Sequence, residues 1–218
     1  MDSHMDSYNS SKYKNNKYQN DKLYVTIGII AVNVIVYVIM TIFGNTLDAE
    51  YMAEHGAMYP EYVSKSGEYW RFFTSMFMHF GLMHILNNMV MLGAAGQIVE
   101  KAMGHVKFLI TYLFAGICGS ILSYIIMLKN QDYAVSAGAS GAIFGLVGAL
   151  VWVVIANRGL YEGISKQQII LMVVLMVYCG VSTSGVDNWD HLGGLIGGFL
   201  ISIVLYRKKR YNKSDTTL

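Results

Sequence analysis

Charge is what this sequence has least of. Only 14% of its 218 residues are Asp, Glu, Lys or Arg, against about 25% in ordinary soluble domains. Proline occurs once, at Pro60, and cysteine twice. Cys118 and Cys179 both sit inside apolar runs, so they read as packed side chains and offer no disulfide framework. The 16 basic and 14 acidic residues leave a net charge of +2, too small to argue for a nucleic-acid partner. No cleavable signal peptide is read, because the first apolar run is too long and follows a polar start.

What is abundant is uninterrupted apolar sequence. Residues 23–43 hold no charged side chain, and a second such run follows Lys107 and ends at Leu128. Stretches of this kind cross a hydrocarbon core of about 30 Å, whereas a soluble helix would break them with a polar face. Six spans are predicted: 23–43, 76–99, 106–128, 137–156, 167–184 and 190–206. The expected fold class is all-α, a polytopic membrane protein with a six-helix bundle. Residues 1–22 read as a disordered N-terminal tail, 23–206 as the membrane domain, and 207–218 as a basic C-terminal tail.

Orientation follows from lysine and arginine, which favour the cytoplasmic side. With the N-terminus inside, thirteen of them fall in inner segments and only Lys65, Arg71 and Lys129 in outer ones. Both termini are therefore expected in the cytoplasm, and spans two, four and six start at the outer surface. The one large loop, 44–75, is rich in Tyr, Met and Trp, so it is expected partly in the membrane interface, where aromatic residues are favoured.

Polar groups inside a span are costly and call for a reason. Gly138-Ala139-Ser140-Gly141 opens span four. Small neighbours leave a serine hydroxyl accessible, although a glycine-rich helix also uses such residues simply to pack, and Gly145 and Gly148 extend that pattern. His191 opens span six with Gly194 and Gly198 on the same helical face. The bland reading is a histidine at an interface. The sharper one is a base brought within reach of Ser140 by bare backbone, since a hydroxyl needs a base to become a nucleophile at neutral pH. His84 and Asn88 in span two are one turn apart. Both can donate hydrogen bonds, as an oxyanion hole requires, or form an interhelical polar clamp. A nucleophile, a base and a donor pair thus enter at similar depth on three helices from one side.

Taken together these residues resemble the rhomboid family of intramembrane serine proteases, over roughly residues 23–206. The Gly138–Gly141 segment resembles the family's GxSG motif, His84–Asn88 its HxxxN motif, and His191 with Gly194 and Gly198 its HxxGxxxG helix. Trp70-Arg71 matches its WR pair, and Gly96 to Gly104 with Glu100 the end of span two. The resemblance implies a Ser140–His191 dyad without a catalytic acid, and an oxyanion site of His84, Asn88 and the Ser140 N–H. It also implies a structural role for His79, and a bacterial cell-membrane enzyme cutting transmembrane protein substrates within the lipid bilayer. No cofactor or metal is expected, and oligomeric state is not legible. Phe144 stands where many members carry Tyr, and Asn87 where some carry a bulky aromatic. Among other intramembrane proteases, the zinc HExxH and aspartyl GxGD motifs are absent, and the one lysine in a span, Lys107, sits at the inner end of the third, away from the outer-side polar residues. A catalytically inactive client-binding relative and a small transporter or channel are the competing classes.

Overall fold

The computed structural model describes residues 23–208, which are predominantly helical. The expected tail at 1–22 and most of that at 207–218 lie outside the described residues. Among the described residues nine α-helices run in chain order: α1 Tyr24–Phe43, α2 Ala49–Glu54, α3 Pro60–Ser66, α4 Arg71–Thr74, α5 Gly81–Met103, α6 His105–Asn130, α7 Ser140–Ala156, α8 Lys166–Ser182 and α9 Asn188–Leu205. A 3-10 turn covers Ser75–Phe77, and a two-stranded antiparallel hairpin of β1 Leu160–Tyr161 and β2 Ile164–Ser165 joins α7 to α8. Among the described residues, α1, α5, α6 and α9 are long and apolar enough to cross a membrane, and α7 and α8 are shorter apolar helices of 17 residues each.

The centre of the bundle is α7. Its sequence is apolar on every side, the pattern of a helix surrounded by protein, and every residue from Gly141 to Leu150 is buried. Helices α9 and α6 pack most extensively, with α9 wedged against both α7 and α6. The core around α7 includes Leu92, Val99, Phe108, Tyr112, Ile143, Leu146 and Leu150. By contrast α1 buries only Thr26, Ile29, Asn33 and Met40 along one stripe, leaving Ile27, Ile35, Ile39 and Ile42 exposed. That outward apolar surface suits lipid rather than water.

The attachment of α1 is polar. The first amide groups of a helix have no partner within it, and here Glu100 of α5 accepts from the Val25 and Thr26 amides at 3.0 and 2.8 Å and from Thr26 Oγ1 at 2.5 Å. His105 Nδ1 lies 2.6 Å from the same carboxylate. A buried charge is tolerable only when paired in this way.

The segment 44–75 folds into three of the short helices around its own small core of Met52, Ala57 and Met78 with Met40. Asp48 caps α2 by accepting from Glu50 and Tyr51, and Pro60 opens α3 at a position that needs no amide proton. Arg71 is buried there and holds the segment together. Its guanidinium donates to the Ala53 carbonyl, to the Ala57 carbonyl at 2.8 Å and to Glu68 Oε2 at 2.8 Å, and lies 4.6 Å from the centres of both the Tyr62 and Trp70 rings.

Candidate active site

Ser140 is the first residue of α7, so its amide and those just after it are the unpaired donors of a helix start. The strand-like approach, 135–139, is tied down at successive positions. Ser136 exchanges two backbone hydrogen bonds with Met58, each 2.9 Å. The Gly138 amide donates to the Ser75 carbonyl at 2.9 Å, and the Ala139 amide donates to His79 Nε2 at 3.3 Å. His79 is therefore bonded to the backbone immediately before Ser140. Its ring also meets that of His84 edge-on, with centroids 5.1 Å apart.

Gly138 is where the chain can carry no side chain. Its φ is +139°, and a Cβ there would stand 2.9 Å from His84 Nε2 and 3.6 Å from Ser140 Oγ. Backbone freedom and space are required at the same residue. The same distances place the His84 imidazole and the Ser140 hydroxyl around one point. Asn88 lies one turn further along α5, buried, and its side-chain Nδ2 has no hydrogen-bond partner among the described residues.

Contact between α7 and α9 is backbone on backbone. A Cβ on Gly194 would fall 1.9 Å from the Gly141 carbonyl oxygen, and one on Gly198 would fall 1.9 Å from that of Gly145. Glycine spacing of this kind is how membrane helices approach closely. Three residues before Gly194, the His191 ring stacks on Phe144 at 4.0 Å with an interplanar angle of 11°. Its Nδ1 is buried without a partner, on the side of the ring that faces Gly180 of α8. Among the described residues no hydrogen bond joins His191 to Ser140, and no carboxylate bonds the imidazole. A cavity of about 210 Å³ opens beside the ring, lined by Phe144, Val177, Val181, Asn188 and Leu195 among others.

The residues singled out from sequence thus fall into two groups. Gly138, Ser140, His79 and His84 gather at the start of α7, with Asn88 one turn along α5. Gly141, Gly194 and Gly198 bring α9 alongside, with His191 on Phe144. Trp70 and Arg71 bond within the 44–75 segment instead. Two acidic residues carry more of the local structure than sequence reasoning gave them. Asp187 caps α9, accepting from the Asp190 amide at 3.0 Å. Asp190 is buried, with its carboxylate against Gly119 and Gly141, where a Cβ would lie 2.6 and 2.4 Å from its oxygens. Two acids just ahead of a histidine at the edge of a span were the available signal.

The Rhomboid domain family matches residues 66–208, a stretch that includes every one of these site residues. The chain belongs to the rhomboid family. It is 36% identical to Rhomboid protease GluP of Bacillus subtilis over 176 residues, 81% of this chain and 34% of that protein. It is 38% identical to RHOMBOID-like protein 7 of Arabidopsis thaliana over 137 residues, 62% of this chain and 42% of the relative. RHOMBOID-like protein 4 of the same plant is 35% identical over 150 residues, 68% of this chain and 37% of its own length. The match thus spans less than half of each of these relatives. A rhomboid domain is an integral membrane structure, which agrees with the lipid-facing apolar helices described above.

Proposed function

We propose that this rhomboid is an intramembrane serine endopeptidase, with Ser140 as nucleophile and His191 as base, cutting peptide bonds in or near the transmembrane segments of other membrane proteins. The observation that carries this reading is an unengaged hydroxyl at the start of α7, beside the His84 ring, with an unpaired side-chain amide one turn further along the His84 helix. Ser140 Oγ makes no hydrogen bond among the described residues, and Asn88 Nδ2 is buried without an acceptor. Buried donors are nearly always paired, and leaving one unpaired costs about 1–3 kcal/mol. An oxyanion formed at Ser140 would supply the missing acceptor.

The chemistry then runs as acyl transfer. Ser140 Oγ bonds to the scissile carbonyl carbon while its proton passes to His191. The resulting oxyanion accepts hydrogen bonds from His84, Asn88 and the Ser140 amide. The imidazolium returns the proton to the leaving nitrogen as the C–N bond breaks, giving an acyl-enzyme. Water attacks the ester, losing a proton to His191, and Ser140 leaves with that proton restored. No metal or cofactor enters any step.

The reading includes six spans, counting α7 and α8, across a membrane domain of residues 23–206 with tails 1–22 and 207–218. Both termini are cytoplasmic and segment 44–75 lies partly in the interface, in a bacterial cell membrane. The test is cleavage of a generic transmembrane substrate by purified protein in detergent. Wild type should cut and Ser140→Ala should not; equal cutting by both would refute the assignment. A client-binding protein would bind the substrate without cutting it, and a transporter would instead show flux in liposomes.

A further inference from the structure

One carboxylate links the helix of His191 to the chain that delivers Ser140. Asp187 Oδ2 accepts from Ser136 Oγ at 2.6 Å and, in a still shorter hydrogen bond, from Ser123 Oγ of α6. Its Oδ1 accepts from the Asp190 amide at 3.0 Å, and its own carbonyl accepts from the His191 amide at 3.2 Å. Ser136 lies four residues before Ser140, and Asp187 four residues before His191. The other hydrogen bonds on 136–139 involve Met58, Ser75, His79 and the Ile143 amide of α7, none of them on α9. Asp187 is thus the one hydrogen-bonded tie, among the described residues, between α9 and the approach to Ser140.

The glycine contacts do a different job. Gly194 on Gly141 and Gly198 on Gly145 set how close the two helix axes come. Axial position along those faces is a separate matter from their spacing. The Asp187 carboxyl group, which accepts from Ser123 of α6, from Ser136 and from the Asp190 amide of its own helix, is placed to restrain that axial position. The dyad needs such restraint, because an error of about 1 Å in the reacting geometry can cost on the order of 10²-fold in rate.

We propose that Asp187 is a positioning residue for the dyad, fixing the start of α9 against Ser136 and so the axial placement of His191 relative to Ser140. This rests on the protease reading above. Among the described residues Asp187 makes no hydrogen bond to the ring of His191, and in the proposal it takes no proton in the reaction.

The test uses full-length protein in detergent and an alkyl fluorophosphonate, whose fluoride is displaced at phosphorus by Ser140 Oγ as the hydroxyl proton passes to His191. Labelling reads dyad geometry without substrate docking. Asp187→Asn keeps the size and one oxygen acceptor but cannot accept from both serines as a carboxylate does. It should lower the labelling rate and kcat by roughly 10- to 100-fold, with KM for a transmembrane substrate little changed and a folded, monodisperse protein. Ser136→Ala, a milder change, should slow labelling in the same direction, and the double variant should be no slower than Asp187→Asn alone, as for groups acting as one unit. If Asp187→Asn does not fold, Ser136→Ala carries the test by itself. Labelling at the wild-type rate in a folded Asp187→Asn or Ser136→Ala variant overturns the proposal while leaving the protease reading intact. A wild-type protein that does not label at Ser140 overturns both.

Discussion

Replacing Gly194 by alanine asks the contact between α7 and α9 to accept a single methyl group. That methyl would sit 1.9 Å from the Gly141 carbonyl oxygen, where ordinary contacts begin at 3.4 Å. Its opponent is backbone, which cannot rotate out of the way as a side chain can. Helix α9 must therefore retreat from α7 by more than about 1 Å, and His191 retreats with it. Displacement on that scale costs roughly 10²-fold in rate, and the overpacking itself costs about 1–3 kcal/mol of stability. The assay is initial-rate cleavage of a transmembrane substrate in detergent, paired with a thermal unfolding scan. Gly93→Ala is the matched control: a Cβ there meets nothing within 4 Å, and alanine favours a helix over glycine by about 1 kcal/mol. Gly194→Ala should lose both activity and stability, while Gly93→Ala keeps the first and gains in the second. If the two variants turned over substrate at the same rate, the glycine contact would not govern the position of His191.

Three further outcomes are expected. Ser140→Ala and His191→Ala should each abolish cleavage without unfolding the protein, and the double variant should be no worse than either, since members of one catalytic unit are strongly non-additive; this is read by cleavage together with a thermal scan. Asn88→Ala should lower kcat by roughly 10²–10³-fold with a much smaller change in KM; near-normal turnover would return Asn88 to a packing role. Substrates should be cut at or just inside their outward-facing membrane boundary, because Ser140 begins α7 and the proposed topology puts that end outside. Mass spectrometry of products from a substrate of known topology checks this, and cuts at the cytoplasmic boundary would refute it.

Much of this architecture is legible in the chain because apolar runs declare helices whatever surrounds them. The run 23–43 becomes α1 nearly residue for residue. Span two is less faithful: the run opens at residue 76, but α5 starts at Gly81. Residues before it form the 3-10 turn and an extended link through Met78, whose amide bonds to Ser75. Apolar character cannot distinguish a helix from a buried turn of the same composition. At its other end α5 runs on through Glu100 to Met103, because a buried carboxylate with four partners is no obstacle to a helix. The short helices of 44–75 were hidden for a related reason. Their caps, Asp48 and Pro60, are visible in sequence, but helices of four to seven residues have no periodicity to read and depend on Arg71 and the Met52 cluster. The candidate site was legible as residue types at helical spacings. Which atoms lack partners, and that Asp187 joins Ser136 and Ser123, are properties of packing between segments far apart in the chain.

A Ser–His pair with no acid on the imidazole raises the question of what holds the ring. In a three-residue arrangement a carboxylate on the far nitrogen fixes tautomer and orientation. Here His191 Nδ1 has no hydrogen-bond partner among the described residues, so under the proposed reading the ring is oriented by packing. Phe144 lies flat on it at 4.0 Å, on the helix that starts with Ser140. The glycine contacts hold that helix and α9 together, and under the proposal above Asp187 fixes the start of α9. A phenyl ring in place of a tyrosine loses a hydroxyl but keeps the stacked face, which is the part this geometry uses. Under the same proposal the acid that matters is Asp187, four residues before the histidine, and it bonds Ser136 on the approach to Ser140 where a three-residue arrangement would have it bond the imidazole.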